Sequence, residues 1–462
     1  MSKKSDTNII AFVMGARQRT IDQVRAAMKE QNKQVRIMYI CDSRTRLLDG
    51  LPEPDILISC DFSQPRKIAE AILPYEDELL AITCRFEQSI ARFQAVIPHV
   101  PYLRTPTTES LGWATDKYEM RKRFQLHAKA HNPRFTWVKK NTKAERIRVI
   151  SKIQFPMVIK PTNLAASMFV SICYHEEDLE RSLRTIFRKI KAAYKKDARM
   201  EEPKVLAEEY IEGDLYSIDS YVNSRGEVYH CPLVRQSTAR DIGHDDFYNY
   251  MQITPTNLKK STVAKAEAVA EAAIHSLGLR SMTAHTELMK IDDEWKIVEV
   301  GPRPGGMRDQ LYGLSCDINH AMNDIAIRIP RQPIVPKKCK GFAAYLKFFA
   351  DKEGEIVETR GIKKLEELKS FHSIVINQKV GDRAVFSRNG GRAVFTTVLY
   401  NKDRSALLAD IRRIEQMVDI VIESVADKKR ASKQSAKKAT TAQKSTKKVT
   451  KPVSKQSTKK RS

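Results

Sequence analysis

Short apolar runs alternate with helix-like stretches over the first 83 residues, and this alternation limits the possible folds more than any other feature. The stretches are, in order, residues 9–14, a helix-like 21–31, 35–40, 55–59, 68–72 and 79–83. Strand and helix in alternation predict a small parallel sheet. Gly15 follows the first run, but Met14-Gly15-Ala16-Arg17 lacks the G-x-G-x-x-G spacing of a dinucleotide-binding loop, so a plain tight turn is favoured.

The remaining sequence predicts strands and helices in a mixed order. Strands are expected at 157–160, 205–211, 216–223 and 228–233. An amphipathic helix is expected at 177–194 and an alanine-rich helix at 261–277. Two more strands, 283–289 and 295–300, are joined by a polar turn. Beyond a proline-rich linker at 330–336, residues 341–350 and 384–400 are sheet-like, and the second stretch is expected to fold back at Asn389-Gly390 as a hairpin.

With 462 residues the chain is long enough for several cores, and we predict a multidomain protein of α/β and α+β type. The predicted units are an N-terminal parallel α/β domain at 1–107, a middle domain at 108–330, a small β-rich domain at 331–426 and a tail at 427–462. The tail holds 12 Lys and 2 Arg against one Asp, which accounts for +13 of the formal net charge of +25. Because it has almost no large apolar residue, it is expected to be disordered.

Cysteine spacing and hydropathy predict the cellular setting. The seven cysteines form no C-x-x-C pair and no metal-like spacing with histidine, so a reduced, cytoplasmic setting is expected. No apolar run approaches the roughly 20 residues of a membrane helix, and residues 8–16 are interpreted as a buried strand rather than a signal peptide. The basic tail predicts salt-dependent attraction to nucleic acid or another anionic surface, without aromatic residues for base stacking. A homodimer is left open.

Glu287 and Glu299 lie on the two strands of the hairpin predicted at 283–300, with Arg303 four residues further on. A hairpin can bring two carboxylates side by side on one face, which is repulsive unless a cation lies between them. Magnesium with nucleotide phosphate suits such a pair, since it takes a few carboxylate oxygens and completes its shell with phosphate and water. The alternative is two solvated glutamates with Arg303 as their ion-pair partner. Gly305 and Gly306 follow, and two glycines after a strand expose N–H groups that suit an anion.

Lys160 ends an apolar strand, where it is either a phosphate contact or an edge lysine that reaches solvent. After it, residues 162–167 form a small-residue loop whose amides and Ser167 hydroxyl could cover phosphates. Residues 205–213 run from a strand into a turn. If they join two lobes, their main chain could bind a purine while Ile211 packs on it; otherwise they are a core strand with exposed glutamates. Lys117 lies in a polar turn before a helix and indicates little alone.

Five segments in this order resemble the successive motifs of the ATP-grasp superfamily. They are Asp116-Lys117-Tyr118-Glu119-Met120-Arg121, residues 155–161, residues 206–217, His285-Thr286-Glu287-Leu288 and Glu299-Val300-Gly301-Pro302-Arg303-Pro304-Gly305-Gly306. In layout the chain is most similar to amino-acid ligases and related carboxylases, and the resemblance covers nearly everything except the tail. It implies a two-lobed ATP-grasp fold for the middle domain, with ATP and Mg²⁺ or Mn²⁺ as cofactors.

The resemblance also implies roles for particular residues. The ATP-binding set is Lys117, Lys160, Ser167, Glu208, Glu209, Ile211 and Asp214, the metal ligands are Glu287 and Glu299, and the catalytic set is Arg303 and Arg308. The chain departs from the family pattern at three places. Gly301 stands where an asparagine metal ligand is common, Leu215 stands where many members have a ribose-binding carboxylate, and residues 163–167 lack the usual glycines.

The implied activity is ADP-forming ligation of a carboxylate to an amine through an acyl phosphate, with amino acids as favoured substrates. One alternative is a carboxylase of the biotin-carboxylase or purine-pathway type. Another is a nucleic-acid-associated protein whose ATP-grasp fold is inactive or secondary. Side chains that could hold the substrate carboxylate or orient the nucleophile, or equally be surface charge, are Arg235, Arg240, His244 and Arg308.

Overall fold

The computed structural model describes residues 7–164, 168–196, 202–243, 248–387 and 391–423. Its first elements are β1 (Ile9–Val13), α1 (Gln18–Lys29), β2 (Arg36–Asp42), β3 (Ile56–Cys60), α2 (Pro65–Ile72), β4 (Leu79–Thr83) and α3 (Ile90–Val96). The four strands pair in parallel in the order β3-β2-β1-β4. All five residues of β1 are buried, as expected of a central parallel strand covered on both faces. The predicted parallel sheet is therefore confirmed.

A second, antiparallel sheet follows two helices, α4 (Thr108–Thr115) and α5 (Lys117–His127). Its elements are β5 (Phe135–Val138), α6 (Lys143–Ile153), β6 (Met157–Pro161), β7 (Ser171–Cys173), α7 (Glu176–Lys196) and β8 (Val205–Glu209). The strands are ordered β5-β8-β6-β7. The apolar side chains of α6 and α7 share one core with β6, including Val149, Leu183 and Ile159. This small sheet and its helices form one wall of the site described below.

A nine-stranded sheet forms the centre of the molecule. Its region contains β9 (Asp214–Val222), β10 (Val228–His230), β11 (Val234–Thr238), β12 (Asn249–Thr254), α8 (Lys260–Ser276), β13 (Met282–Ile291), β14 (Glu294–Gly301), α9 (Arg308–Cys316), α10 (His320–Ala326) and β15 (Phe342–Phe348). The order is β14-β13-β9-β11-β12-β15, and β10 pairs with β9. Because β12 pairs with β15 across the proline-rich linker, the sheet continues through the domain boundary predicted at residue 330.

The C-terminal elements complete this sheet and add a smaller one. They are β16 (Gly354–Arg360), β17 (Phe371–Ile376), β18 (Arg383–Ala384), β19 (Phe395–Asn401), α11 (Arg404–Met417) and β20 (Asp419–Glu423). β19 and β17 extend the large sheet beside β15, whereas β18, β16 and β20 form a separate sheet. The predicted hairpin within 384–400 is therefore wrong, because the strands before and after it belong to different sheets. Residues 388–390, which hold the predicted turn, lie outside the described residues.

The N-terminal region is tied to the centre through α10. Met322 and Ile325 pack into the core of the parallel sheet. Beside them the buried Asp324 carboxylate accepts hydrogen bonds from Thr83 at 2.8 Å and Arg85 at 3.4 Å. A disulfide joins Cys316 at the end of α9 to Cys339, which lies between the proline-rich linker and β15, so the expectation of reduced cysteines does not hold for this pair. Among the described helices, none is both long and apolar enough to cross a bilayer.

Candidate active site

Glu287 and Glu299 are direct cross-strand partners at the end of the β13–β14 hairpin. Side chains of directly opposed residues in an antiparallel pair project from the same face, so the two carboxylates share one surface. The pairing register shifts immediately beyond this point, between Glu287 and Leu288. The side chains are 25% and 31% exposed, which leaves both carboxylates open to a ligand. We call these two residues the carboxylate pair.

Positive and polar groups surround the carboxylate pair. Lys117 Nζ lies 3.2 Å from Glu299 Oε2, and Asp116 places this lysine by capping α5 through the N–H groups of the first turn. Gln236 donates to Glu287 at 3.3 Å, and His285 Nε2 lies 3.6 Å from the same carboxylate. Burial acts to raise the pKa of Glu287, but hydrogen bonding and charge from His285 outweigh it and hold the pKa at about 2. The carboxylate is therefore ionised throughout the physiological pH range.

The carboxylate pair fits a magnesium ion that also binds phosphate. Within the described residues, no group of three or more His, Cys, Asp or Glu side chains gathers as a closed metal cage. Magnesium does not require one, because it commonly uses one or two carboxylates and completes its octahedral shell with water and substrate phosphates. Two partly exposed carboxylates on one face supply this kind of donor set, and a lysine beside them suits the phosphates.

Lys160, Glu208 and Arg121 form a buried ion triad on the opposite wall. Lys160 Nζ lies 2.7 Å from Glu208 Oε2, and Arg121 Nε donates to Glu208 Oε1 at 2.7 Å. Burial acts to raise the pKa of Glu208, but the charges of Arg121 and Lys160 lower it to about 2. Burial lowers the pKa of Lys160, and Glu208 opposes that effect. We call this set the compensated triad, because its carboxylate already has two cationic partners.

Arg121 also connects the two walls. It is 1% exposed and donates to the main-chain carbonyl of Ile297 in β14 at 3.0 Å, while its guanidinium holds Glu208 in β8. One side chain on α5 therefore fixes the small sheet against the hairpin that carries the carboxylate pair. Arg121 lies within the first of the five motif-like segments, and only its tertiary contacts show what it does.

The other predicted nucleotide residues lie at different places around the triad. Glu209 follows Glu208 on the strand, so its side chain projects to the opposite face, where Arg134 Nε lies 3.3 Å away. Ile211 is half-buried just beyond the strand. Asp214 is exposed and pairs with Arg235 at 3.0 Å. Ser167 lies outside the described residues.

The two predicted catalytic arginines are held by different partners. Arg303 Nε donates at 2.6 Å to Glu87, a residue of the N-terminal region. Burial acts to lower the pKa of Arg303, but the charge of Glu87 raises it. Arg308, at the start of α9, is 1% exposed and donates to Ser217 Oγ at 2.6 Å and to the side chain of Gln252.

Two of the remaining predicted acceptor-side residues, Arg235 and Arg240, have partners other than the carboxylate pair. Arg235 is taken by Asp214, and the exposed Arg240 donates to the Tyr174 hydroxyl at 3.2 Å. His244 lies outside the described residues. Of the four candidates named from the sequence, Arg308 is the one that the structure buries beneath the site.

A buried carboxylate supports the site from below. Asp219 accepts from the N–H of Gly305 at 2.7 Å, and its oxygens lie 2.6 Å from His285 Nδ1 and 3.0 Å from His320 Nε2. A side chain at Gly305 would place its Cβ 2.5 Å from His285 and 2.9 Å from Asp219, so only glycine fits. The N–H predicted to face an anionic ligand thus binds the chain's own Asp219. That interaction fixes the loop after β14 and the orientation of His285.

Comparison with known proteins gives a family match for the central region. Residues 153–310 match the family described as the ATP-grasp domain. An alanine–anticapsin ligase from Bacillus amyloliquefaciens is 27% identical over 169 residues, which are 34% of this chain and 35% of that protein. The chain thus spans about a third of the length of that curated relative.

Solved structures cover far more of the chain. An L-amino acid ligase from Bacillus licheniformis has a TM-score of 0.72 at 14% identity, with 92% of this chain and all of that chain covered. An N5-carboxyaminoimidazole ribonucleotide synthetase from Thermotoga maritima has a TM-score of 0.63 at 16% identity, with coverages of 90% and 100%. These likenesses show a common fold. The family match identifies an ATP-grasp domain at residues 153–310.

Proposed function

We propose that this chain is an ADP-forming ligase that activates a carboxylate with ATP and joins it to an amine, with amino acids as substrates. The observation that carries the proposal is the direct pairing of Glu287 with Glu299, faced by Lys117. Two paired carboxylates beside a lysine suit a metal-bound triphosphate better than they suit a structural ion pair. The name of the alanine–anticapsin ligase and the fold of the L-amino acid ligase support the same reaction class.

In this proposal residues from both walls bind the nucleotide. Lys117 and Lys160 contact the phosphates, and Glu287 and Glu299 hold the metal. When bound, the metal supplies neutralisation of charge on the β- and γ-phosphates. The adenine lies along the main chain that follows β8. The residues assigned to this part are Glu208, Glu209 and Ile211, with Asp214 as the candidate ribose contact and Ser167 as a phosphate-loop contact.

The arginines act on the transferred group and the substrate. A substrate carboxylate oxygen attacks the γ-phosphorus, the bond to the ADP oxygen breaks, and Arg303 stabilises the negative charge on the equatorial oxygens. Glu87 orients this guanidinium through its 2.6 Å contact. The amine then attacks the acyl carbon, phosphate leaves with the original carboxylate oxygen, and the amine loses a proton. Arg308 contributes positive charge beneath the substrate.

A bicarbonate-using carboxylase is the second candidate. The fold likeness to the N5-carboxyaminoimidazole ribonucleotide synthetase favours it, although with a lower TM-score than the L-amino acid ligase, 0.63 against 0.72. The two reactions differ in their requirements. A carboxylase needs bicarbonate for turnover, whereas the ligase needs an organic carboxylate and an amine and runs in bicarbonate-free buffer.

Product analysis tests the proposal. The purified full chain is supplied with Mg-ATP and pairs of amino acids, and nucleotides are separated after the reaction. We expect equal amounts of ADP and phosphate, released only when both the carboxylate and the amine substrate are present. Release of AMP and pyrophosphate, or turnover that depends on bicarbonate alone, would overturn the ligase proposal.

The basic tail at 427–462 lies outside the described residues, and we propose that it is separable from catalysis. Deletion of residues 427–462 should abolish binding to DNA or RNA at low salt, because non-specific binding depends on Lys and Arg contacts to phosphates. ATP turnover should be unchanged. Loss of turnover in the deletion variant would instead favour a protein whose nucleic-acid binding and ATP site act together.

A further inference from the structure

Lys347 reaches the site from β15, on the far side of the proline-rich linker. β15 pairs with β12, with Tyr345 directly opposite Gln252. Because side chains alternate along a strand, Lys347 lies on the same face as Ala343 and Tyr345. Both of these share one hydrophobic cluster with Leu311 of α9. Lys347 therefore lies on the α9 side of the sheet, where Arg308 begins that helix and contacts Gln252.

The ammonium group of Lys347 has no anionic partner in the described part of the chain. It is half-buried and lies 5.7 Å from the ring centroid of Tyr345. Burial lowers the pKa of Lys347, the charge of Arg308 lowers it further, and the attraction of Glu287 only partly opposes both. A lysine that merely reached solvent past apolar surface would keep its ammonium hydrated. Lys347 is instead a partly desolvated cation beside another cation.

The partners of Arg308 do not neutralise the positive charge that it shares with Lys347. Its hydrogen bonds go to neutral oxygens, including Ser217 Oγ at 2.6 Å, and its buried Nε has no hydrogen-bond partner among the described atoms. The nearest carboxylate, Asp219, is 3.7 Å from that Nε and is already bound by two histidines. An anion from outside the chain would therefore gain more here than beside the compensated triad, because Lys347 has no anionic partner among the described residues and Arg308 shares its nearest carboxylate with two histidines.

We propose that Lys347 binds the carboxylate of the substrate that supplies the amine, with Arg308 contributing positive charge behind it. The nucleophile of the reaction is then an amino acid rather than a simple amine. This inference rests on the proposed ligase function and deepens it, since it assigns acceptor specificity to a residue contributed from beyond the linker. Lys347 acts in binding, so its loss should raise the KM for the acceptor and leave the KM for ATP unchanged.

The test compares an acceptor amino acid with its carboxamide, which keeps the amine and lacks the carboxylate. Wild-type chain, Lys347→Met and Lys347→Arg are assayed for ADP release with Mg-ATP, a fixed carboxylate substrate and either acceptor. Lys363→Met, an exposed lysine of the same region, serves as the control. We expect Lys347→Met to raise the KM for the amino acid about 10-fold to 100-fold, the range for a lost hydrogen bond to a charged group. The Lys347→Met variant should no longer prefer the amino acid over its carboxamide.

Each outcome decides the inference. The inference is supported if Lys347→Arg recovers part of the preference for the amino acid over the carboxamide and the KM for ATP is unchanged in all variants. A Lys347→Met variant that still prefers the amino acid overturns the role of Lys347 and leaves the ligase function intact. A wild-type chain that accepts the carboxamide as readily as the amino acid also overturns the role of Lys347 and leaves the ligase function intact. Failure of the wild-type chain to release ADP with any carboxylate and amine overturns the ligase function itself and this inference with it.

Discussion

The compensated triad and the carboxylate pair use glutamate in opposite ways. In the triad, the Glu208 side chain is 6% exposed and has Arg121 and Lys160 as cationic partners, each 2.7 Å away. In the pair, Glu287 and Glu299 face each other, are 25% and 31% exposed, and have weaker contacts to their neighbours. The difference indicates that balanced, buried charge holds the walls together, while incompletely balanced, exposed charge is left for a ligand.

Removing a carboxylate from the pair should have the largest effect on activity. Glu299→Gln is expected to lower ADP-forming turnover about 100-fold to 1,000-fold, the range for losing one group that stabilises transition-state charge. The melting temperature should change little, because the relief of repulsion with Glu287 offsets the loss of the Lys117 ion pair. Turnover and thermal melting are measured together. The control is Glu294→Gln, an exposed glutamate on the same strand, and turnover of Glu299→Gln close to that of the control would refute a metal-binding pair.

Breaking the triad should have the largest effect on stability. Arg121→Met removes a buried cation and leaves Glu208 and the Ile297 carbonyl without that partner. We expect a loss of about 3–5 kcal/mol in the free energy of unfolding, measured by denaturant titration. The matched control is Arg66→Met, which removes an exposed ion pair with Glu70 and should cost about 1 kcal/mol or less. Equal losses in the two variants would show that the triad is no more stabilising than surface charge.

The triad also predicts a pH dependence. The pKa of Glu208 is about 2 in the folded chain, below the value of about 4.3 for an ordinary glutamate. The unfolded chain therefore binds more protons in this interval. The stability from Glu208 is complete above about pH 5 and is lost as the pH falls towards 2. Between about pH 5 and pH 3, the melting temperature of Glu208→Gln should fall less steeply with decreasing pH than that of the wild type. Parallel falls in the two melting temperatures would refute the assignment.

Glu209 should give the smallest effect, although it is the next residue after Glu208. Its side chain is 41% exposed and pairs with Arg134 on the outer face of the sheet. If adenine is held by the main chain here, Glu209→Gln should change the KM for ATP less than about threefold, as expected for a surface ion pair. A loss comparable to that of Glu299→Gln would mean that the Glu209 side chain turns inward and binds the nucleotide directly.

Local sequence patterns predicted the parts of the site that lie on neighbouring strands. The hairpin at 282–301 and the side-by-side placement of Glu287 and Glu299 follow from strand alternation and a polar turn. Arg121 could not be recognised in this way, since it lies in a helix with several other charged residues and its partners are 87 and 176 positions away. Glu87 and Lys347 are brought to the site by packing between distant regions, which no local pattern encodes.

The hairpin predicted at 384–400 fails for a related reason. An Asn-Gly pair favours a tight turn but does not determine which sheet the flanking strands join. In the structure, Ala384 pairs with β16 while Phe395 pairs with β15 and β17. Burial against α11 and the large sheet, rather than turn chemistry, decides where each strand is placed.

The most direct test of the account follows one oxygen atom through the reaction. The carboxylate substrate is labelled with oxygen-18 and incubated with Mg-ATP, the amine substrate and the purified chain, and the released phosphate is analysed by mass spectrometry. The account predicts one labelled oxygen in each phosphate, because the carboxylate oxygen that attacks the γ-phosphorus leaves with the phosphate when the amine displaces it. Unlabelled phosphate, or label recovered in AMP, would contradict the acyl-phosphate reaction at the carboxylate pair.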